Sequence, residues 1–317
     1  MWQERQTKLL GDEIEAALDY LNSTLGLCEL VRESLIKTHQ LPTSQSTAYR
    51  PWSLLPLVVC ASICGEYEQA LSVAAGLHLL KASAEIFDDV EDTDSPNSLS
   101  AEYGPAIAIN VASSLLILAE RTITRLGLRG VDYCTIIRVM DLINSHYTTA
   151  CAGQHLDLSL ETGTVISEDI YFNIIKMKSA SAIECSCMVG ALLGNASEKL
   201  IEAFGNFGQN LGIASQIAND ILDITNKKDI IKRKVTLPVI YALSQTDGEN
   251  RRQLEQAFLR SHITAPEIEN IGGLLLQSGA IHYSIIKMEL YNQRAQNILS
   301  SIQKEGVNVG QLQIFLK

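Results

Sequence analysis

Apolar residues recur at spacings of three and four along most of the chain, as in "IIRVMDLINSHY" (136–147) and "LIEAFGNFGQNLGIASQIANDILDI" (200–224). That period marks one face of an α-helix. Alternation with period two is nowhere sustained, and no Asn-Gly or Asp-Gly pair joins two alternating runs. The pattern predicts helices over 8–37, 51–64, 67–93, 104–126, 132–160, 168–192, 196–224, 234–245, 250–260, 266–277 and 279–303. The seven prolines stand at 42, 51, 56, 96, 105, 238 and 266, so none interrupts 106–237. Pro96 disfavours helix at Ser95 and closes the third of these helices. Ser167, followed by Glu168 and Asp169, is placed to cap the helix behind it. Pro42 and "TSQST" mark a loop ahead of Arg50-Pro51. No linker or internal repeat divides the chain, which predicts a single all-α domain over residues 1–317. Several helices are apolar on most faces, which suits a bundle with buried central helices or an apolar cavity.

Composition narrows the class. The 317 residues are 46% hydrophobic and 19% charged, ample for a large core. Asp and Glu number 36 against 25 Lys and Arg, a net charge of −11. This argues against nonspecific nucleic-acid binding and against an anionic membrane surface. The seven cysteines form no CxxC pair, and most read as small core residues in a reducing cytosol. "MWQERQTKLLGDEIE" is too charged for a signal peptide, and "LLPLVVCASIC" and "AIAINVASSLLILA" read as too short or too polar to span a membrane. The expectation is a cytoplasmic protein with no nucleic-acid partner and no stable membrane insertion.

Charge then becomes specific. Residues 85–94, "EIFDDVEDTD", hold six acids, and no Lys or Arg occurs from Ala82 to Glu120. In a helix Asp88 and Asp92 share a face, with Asp89 beside them. Like charges at that spacing cost about 0.2–0.5 kcal/mol per pair, and the dipole at a helix C-terminus disfavours anions as well. A hard divalent cation reverses both penalties, since Mg²⁺ prefers carboxylate oxygens and keeps waters that a phosphate can replace. The bland alternative is a solvated acidic helix end. Residues 215–224, "SQIANDILDI", repeat the geometry with Asn219, Asp220 and Asp223, and five of the eight residues 227–234 that follow are basic. Carboxylates on two helices could hold several Mg²⁺ ions, with neighbouring lysines gripping a bridging diphosphate. Between the motifs lie Gln154 and Asp157 in "AGQHLDL" and Lys178 in "IKMKSASAIE".

The order FDDVED, GQHLDL, YFNIIKMKSASAIE, QIANDILD and KVTLPVIYAL resembles the trans-isoprenyl diphosphate synthase (polyprenyl synthetase) superfamily over roughly residues 45–300. The resemblance implies an all-α isoprenoid synthase fold, a helical bundle around a central apolar cavity, three Mg²⁺ ions and a homodimer. It implies that metals and lysines stabilise departing pyrophosphate and leave an allylic cation in an apolar pocket. By position, Asp88, Asp89 and Asp92 would be metal ligands at the first motif, and Asn219, Asp220 and Asp223 at the second. Lys178 and Lys234 would hold diphosphate. Gln154, Asp157 and Gln216 would line the reacting end, with Gln154 near diphosphate and Asp157 a further candidate metal ligand. Asp88, Asp92, Lys178, Gln216 and Asp220 would carry the catalysis. Small Ser83 and Ala84, with Phe87, would border a cavity roomy enough for a long chain, although close helix packing explains the small residues equally well.

The chain departs from that pattern where elongating members bind isopentenyl diphosphate. In "STAYRP" Arg50 and Pro51 remain, while Thr47 and Ala48 replace a Lys and an Arg. A His seven residues before the first Asp becomes Lys81, the paired Arg after the first motif is missing, and the second motif lacks the usual Gly-Lys segment behind it. About three charge-assisted contacts, each worth roughly 1.5–3 kcal/mol, are lost, with Arg50 and Lys81 left to hold diphosphate. The expected activity is therefore Mg²⁺-dependent ionisation of an allylic prenyl diphosphate of about C15–C20 or longer. Cyclisation to a terpene, or transfer to an acceptor other than isopentenyl diphosphate such as a peptide, would follow. A chain-elongating farnesyl or geranylgeranyl diphosphate synthase and a non-catalytic partner subunit are the alternatives.

Overall fold

Ten consecutive residues, Leu71 to Leu80, are buried on every face of one helix. A helix apolar all round is a central one, and the fold is laid out accordingly. The computed structural model describes residues 2–21, 26–37, 51–92, 97–160, 166–259 and 263–316; helices and turns are present among them and no strand. The chain falls into two compact units.

Unit 1 comprises Met1–Leu142, Ser186–Ile201 and Val307–Phe315. Its helices are α1 (Trp2–Leu18), α2 (Leu27–Lys37), α3 (Leu55–Cys64), α4 (Leu71–Asp92), α5 (Leu99–Tyr103) and α6 (Pro105–Thr124), followed by the start of α7 (Tyr133–Ser159). The helix predicted over 8–37 is thus two helices. Gly26 at φ 87° precedes α2, a backbone state that a continuous right-handed helix excludes and glycine accepts. The short α5 was not predicted; Ser98 caps it by accepting from the Ala101 amide, and Gly104 at φ 85° turns the chain into Pro105. The turn expected at Ser95-Pro96 lies outside the described residues.

α4 and α6 pack antiparallel along their length. A Cβ on Gly76 would stand 2.6 Å from Ile123 Cγ1, and seven residues on Ser83 Oγ donates to the Ala112 carbonyl at 2.8 Å. The buried Glu13 of α1 ties the far end. It accepts from Ser72 Oγ at 2.8 Å and from the Arg129 guanidinium at 2.7 Å. Segments 68–92 and 105–129 are long and apolar enough to cross a membrane, the second containing the run "AIAINVASSLLILA" that was expected to be too short or too polar, whereas 52–64 stays shorter, as expected. The first is 72% buried in the protein, the second 44%. The apolarity of α4 serves the core, whereas α6 keeps an exposed side.

Unit 2 comprises Ile143–Cys185, Glu202–Gly306 and Leu316–Lys317. It contains the rest of α7, then α8 (Glu168–Ile175), a π-helical turn (Lys176–Ala180), the first residues of α9 (Ser181–Leu193) and most of α10 (Glu198–Thr225). After these come α11 (Lys228–Lys232), α12 (Leu237–Gln245), α13 (Gly248–Leu259), α14 (Ala265–Gln277) and α15 (Ala280–Lys304). Ser167 caps α8 as its spacing predicts, accepting from the Ile170 amide. The stretch predicted as one helix over 168–192 is broken in register by the π turn. Two glycines press against that turn: a Cβ on Gly153 would stand 2.4 Å from the Lys178 nitrogen, and one on Gly212 2.7 Å from Ala180 Cα. Beneath it Tyr171, Ile174, Ile175, Ala180, Ile213, Ile217, Leu237 and Ile240 form one apolar cluster.

Close backbone approach yields a test in unit 1. A Cβ on Gly190 of α9 would lie 2.6 Å from the Pro56 carbonyl oxygen, whereas one on Gly273 of α14 meets nothing within 4 Å. Gly190→Ala is expected to destabilise by about 1–3 kcal/mol. Gly273→Ala is expected to stabilise by about 0.5–1 kcal/mol. Urea denaturation midpoints of the two variants check the contrast.

Candidate active site

The two acidic motifs end helices, one in each unit. In unit 1, Asp88, Asp89 and Asp92 stand half-buried in the last turns of α4, where no basic residue accompanies them. One turn and more upstream, Lys81 Nζ meets Glu85 Oε1 at 2.6 Å on the exposed side of the same helix. The three residues expected to border a cavity have different surroundings. Ser83 is buried against α6 through its bond to Ala112, Ala84 is exposed, and Phe87 is half-buried. Arg50 lies outside the described residues.

In unit 2 the second motif is assembled by four segments. Asp220 of α10 is buried, and each of its carboxylate oxygens takes a neutral donor. Tyr171 OH of α8 donates to Oδ2 at 2.6 Å, and Gln216 Nε2, one turn earlier on α10, donates to Oδ1 at 2.8 Å. Ser179 Oγ of the π turn donates to Gln216 Oε1 at 2.8 Å, which fixes which end of the amide faces the carboxylate. Beside it, Lys178 Nζ meets Asp157 Oδ2 at 2.8 Å, joining the π turn to α7. Gln154, one turn before Asp157, is half-buried, as are Asn219 and Asp223. Lys228 Nζ stands 3.1 Å from Asp223 Oδ1.

The basic segment after α10 folds into α11, which the sequence reading did not predict. Lys227 and Arg233 bracket it at φ 62° and 57°. Its one acid, Asp229, is buried and accepts from Thr236 Oγ1 at 3.1 Å. Desolvation pushes the Asp220 carboxyl up to about 6, and desolvation together with like-charge repulsion from Asp220 pushes Asp229 up to about 7. The exposed Lys234 pulls both down. Tyr171, Ser179, Asp229 and Thr236 were all missed from sequence. Asp229 carried a signal, as the lone acid in a basic run; Tyr171, 49 residues from its partner, carried none.

No three His, Cys, Asp or Glu side chains among the described residues converge into a ready-made metal cage. The donor chemistry still fits a divalent cation of the Mg²⁺ type. Asp88, Asp89 and Asp92, and Asn219, Asp220 and Asp223, offer oxygens only, and Mg²⁺ binds through one or two carboxylates while waters and phosphate supply the rest.

Residues 38–272 match the polyprenyl synthetase family. The chain is 28% identical to geranylgeranyl diphosphate synthase of Mycobacterium tuberculosis, over 72% of this chain and 68% of that protein. It is 30% identical to tryptophan prenyltransferase ComQ of Bacillus subtilis subsp. natto, over 76% of this chain and 72% of that protein. Among solved structures, geranylgeranyl pyrophosphate synthase from Corynebacterium glutamicum, complexed with isoprenyl diphosphate and magnesium, superposes with a TM-score of 0.79. It is 19% identical and the match covers 94% of this chain and 93% of that one. That likeness establishes the isoprenoid synthase fold.

The raised Asp220 carboxyl has a measurable consequence. The folded protein holds this proton more tightly than the unfolded chain, whose ordinary value is 3.8. The stability so contributed is complete below that value and lost as pH rises through about 6. Asp220→Asn, which removes the buried charge, is therefore expected to gain a few degrees in melting temperature relative to the parent between pH 5 and pH 8, in EDTA. A difference that does not change with pH contradicts desolvation as the cause.

Proposed function

The chain belongs to the polyprenyl synthetase family, and on that premise we propose that this prenyl-diphosphate-using transferase lengthens an allylic prenyl diphosphate by joining it to isopentenyl diphosphate. The carrying observation for elongation is the likeness to geranylgeranyl diphosphate synthase, while the second motif, where Lys228 pairs with Asp223 and Lys234 acts on Asp220, supports the ionisation that elongation and prenyl transfer share. Homology to a geranylgeranyl diphosphate synthase supports elongation, an alternative in the sequence reading, better than the cyclisation expected there. The missing basic residues weigh against elongation at the acceptor's diphosphate site and leave the ionising half untouched.

In this reading Asp88, Asp89 and Asp92, with Asn219, Asp220 and Asp223, hold Mg²⁺, and Asp157 is an additional candidate. Bound Mg²⁺ supplies positive charge to the diphosphate, as the magnesium in the Corynebacterium complex supports. Lys178, Lys228 and Lys234 add positive charge as the allylic C–O bond breaks and pyrophosphate leaves. The allylic cation is then attacked by the terminal alkene carbon of isopentenyl diphosphate, which leaves a tertiary cation next to the new bond. The CH₂ on the far side of that cation loses a proton to the departed pyrophosphate, and the double bond is restored.

A second reading, transfer of the cation to an acceptor without a diphosphate, is favoured by one observation. No Lys or Arg occurs from Ala82 to Glu120, and Lys81 is engaged by Glu85. The tryptophan prenyltransferase relative supports it. Purified protein incubated with Mg²⁺ and C10, C15 or C20 allylic diphosphates, with and without isopentenyl diphosphate, separates the two. Longer diphosphates formed only with isopentenyl diphosphate support elongation. Pyrophosphate release without it, giving a hydrocarbon or alcohol, overturns elongation. Asp88→Ala is expected to lower Mg²⁺-dependent pyrophosphate release by about 100-fold or more.

The functional unit we propose is a homodimer formed through α6. Ile109, Leu116 and Ile117 lie on one face of that helix, exposed by 45%, 37% and 60%. A second copy presenting the same face would cover this apolar patch. Ile117→Lys is expected to shift the protein from dimer to monomer in light scattering coupled to size exclusion; an unchanged mass excludes this face.

A further inference from the structure

We propose that Tyr171 is a positioning residue for the second acidic motif, and that Ser179 acts to the same end through Gln216. The inference rests on the reading that Asp220 ligates a divalent cation, and it concerns what prepares that carboxylate to do so.

A carboxylate that is 5% exposed is ordinarily matched with a buried cation. At Asp220 the direct hydrogen bonds come from a phenol and an amide instead. One donor per oxygen fixes the rotation of the carboxylate and leaves a second lone pair on each oxygen for another ligand. Neither donor neutralises the charge, so neither competes with a metal ion as an ammonium would.

Both donors are themselves held. The Gln216 amide has its oxygen taken by Ser179, so its NH₂ faces Asp220. Ser179 belongs to the π turn that Gly153 and Gly212 press from two sides, and π turns recur at functional sites. The Tyr171 ring meets Phe172 edge-on at 5.3 Å, and Phe172 meets Tyr291 of α15 at 5.5 Å. Three residues before Tyr171, Glu168 accepts from Tyr283 OH at 2.6 Å and from Lys287 Nζ at 2.5 Å, fastening α8 to α15. The hydroxyl is thus delivered to Asp220 by a helix fixed at its start.

The test follows the melting temperature of the full-length protein as Mn²⁺ is raised at fixed inorganic pyrophosphate. Tyr171→Phe, which removes only the hydroxyl, is expected to raise the Mn²⁺ concentration giving half the thermal rise by about tenfold or more. Ser179→Ala is expected to move it in the same direction by less, and Ser179→Thr, which restores a hydroxyl, to return it toward the parent. Asp220→Asn is expected to lose most of the rise. A merely structural role lowers the melting temperature at every metal concentration and leaves the half-point in place. If Asp220→Asn loses the response while Tyr171→Phe and Ser179→Ala keep the parent half-point, the positioning role is overturned and the metal reading stands. If Asp220→Asn responds like the parent, both fall. Should Tyr171→Phe fail to fold, the Ser179 pair decides: an unshifted Ser179→Ala overturns the proposal.

Discussion

A carboxylate kept from water sets terms for the surrounding structure, because ionising it in an apolar setting is costly unless something answers the charge. Asp220 imposes that constraint on unit 2. Three separate segments supply the immediate answer: α8 a phenol, α10 an amide, and the π turn the serine that orients the amide. Nine residues on, Asp229 adds a second buried acid, and both carboxyls rise to about 6 and 7. A fold selected for stability alone would replace such a pair with apolar side chains of similar size. In the function proposed, its presence is pre-organisation, in which unfavourable charge is retained because a cation that arrives later would remove the penalty.

The same reasoning explains the π turn. An extra residue per turn widens the helix and interrupts its register, a local loss that packing has to offset. Gly153 and Gly212 allow two helices to approach that segment more closely than any side chain would permit. The reward is geometric: consecutive residues Lys178 and Ser179 reach Asp157 on one neighbour and Gln216 on another. An unbroken α-helix directs consecutive residues about 100° apart along a fixed ladder, and the bulge alters that ladder at the position where two contacts are needed.

What the sequence made legible follows from range. Periodicity of three and four is local, so the helices of the core, the cap at Ser167 and the shared face of Asp88 and Asp92 were all readable from spacing. Charge clustering is local too, and it exposed both motifs. The division of 8–37 into α1 and α2 was missed because one glycine at φ 87° outweighed a continuous apolar pattern, and α11 was missed because five residues are too few to show a period. The donors to Asp220 were illegible for a different reason. A tyrosine 49 residues away on an apolar helix looks like core until the tertiary structure shows where its hydroxyl ends.

Charge also bears on the acceptor more than shape does. The ionising half of the reaction is the same whether the cation meets an alkene or an indole, so the metal motifs do not discriminate between the two relatives. Isopentenyl diphosphate, unlike a peptide side chain, brings a second diphosphate that needs cations of its own. Lys81 is engaged by Glu85, yet both side chains are largely exposed, 50% and 39%. An exposed pair of this kind is worth roughly 0–1 kcal/mol. A charge-assisted bond from the same lysine to a phosphate oxygen is worth roughly 1.5–3 kcal/mol. Exchanging Glu85 for a diphosphate is therefore favourable for Lys81, and the pair marks a lysine held in reserve rather than one withdrawn from use. That comparison restores one of the roughly three charge-assisted contacts missing from the isopentenyl diphosphate site, so Lys81 weakens the physical objection to elongation without removing it.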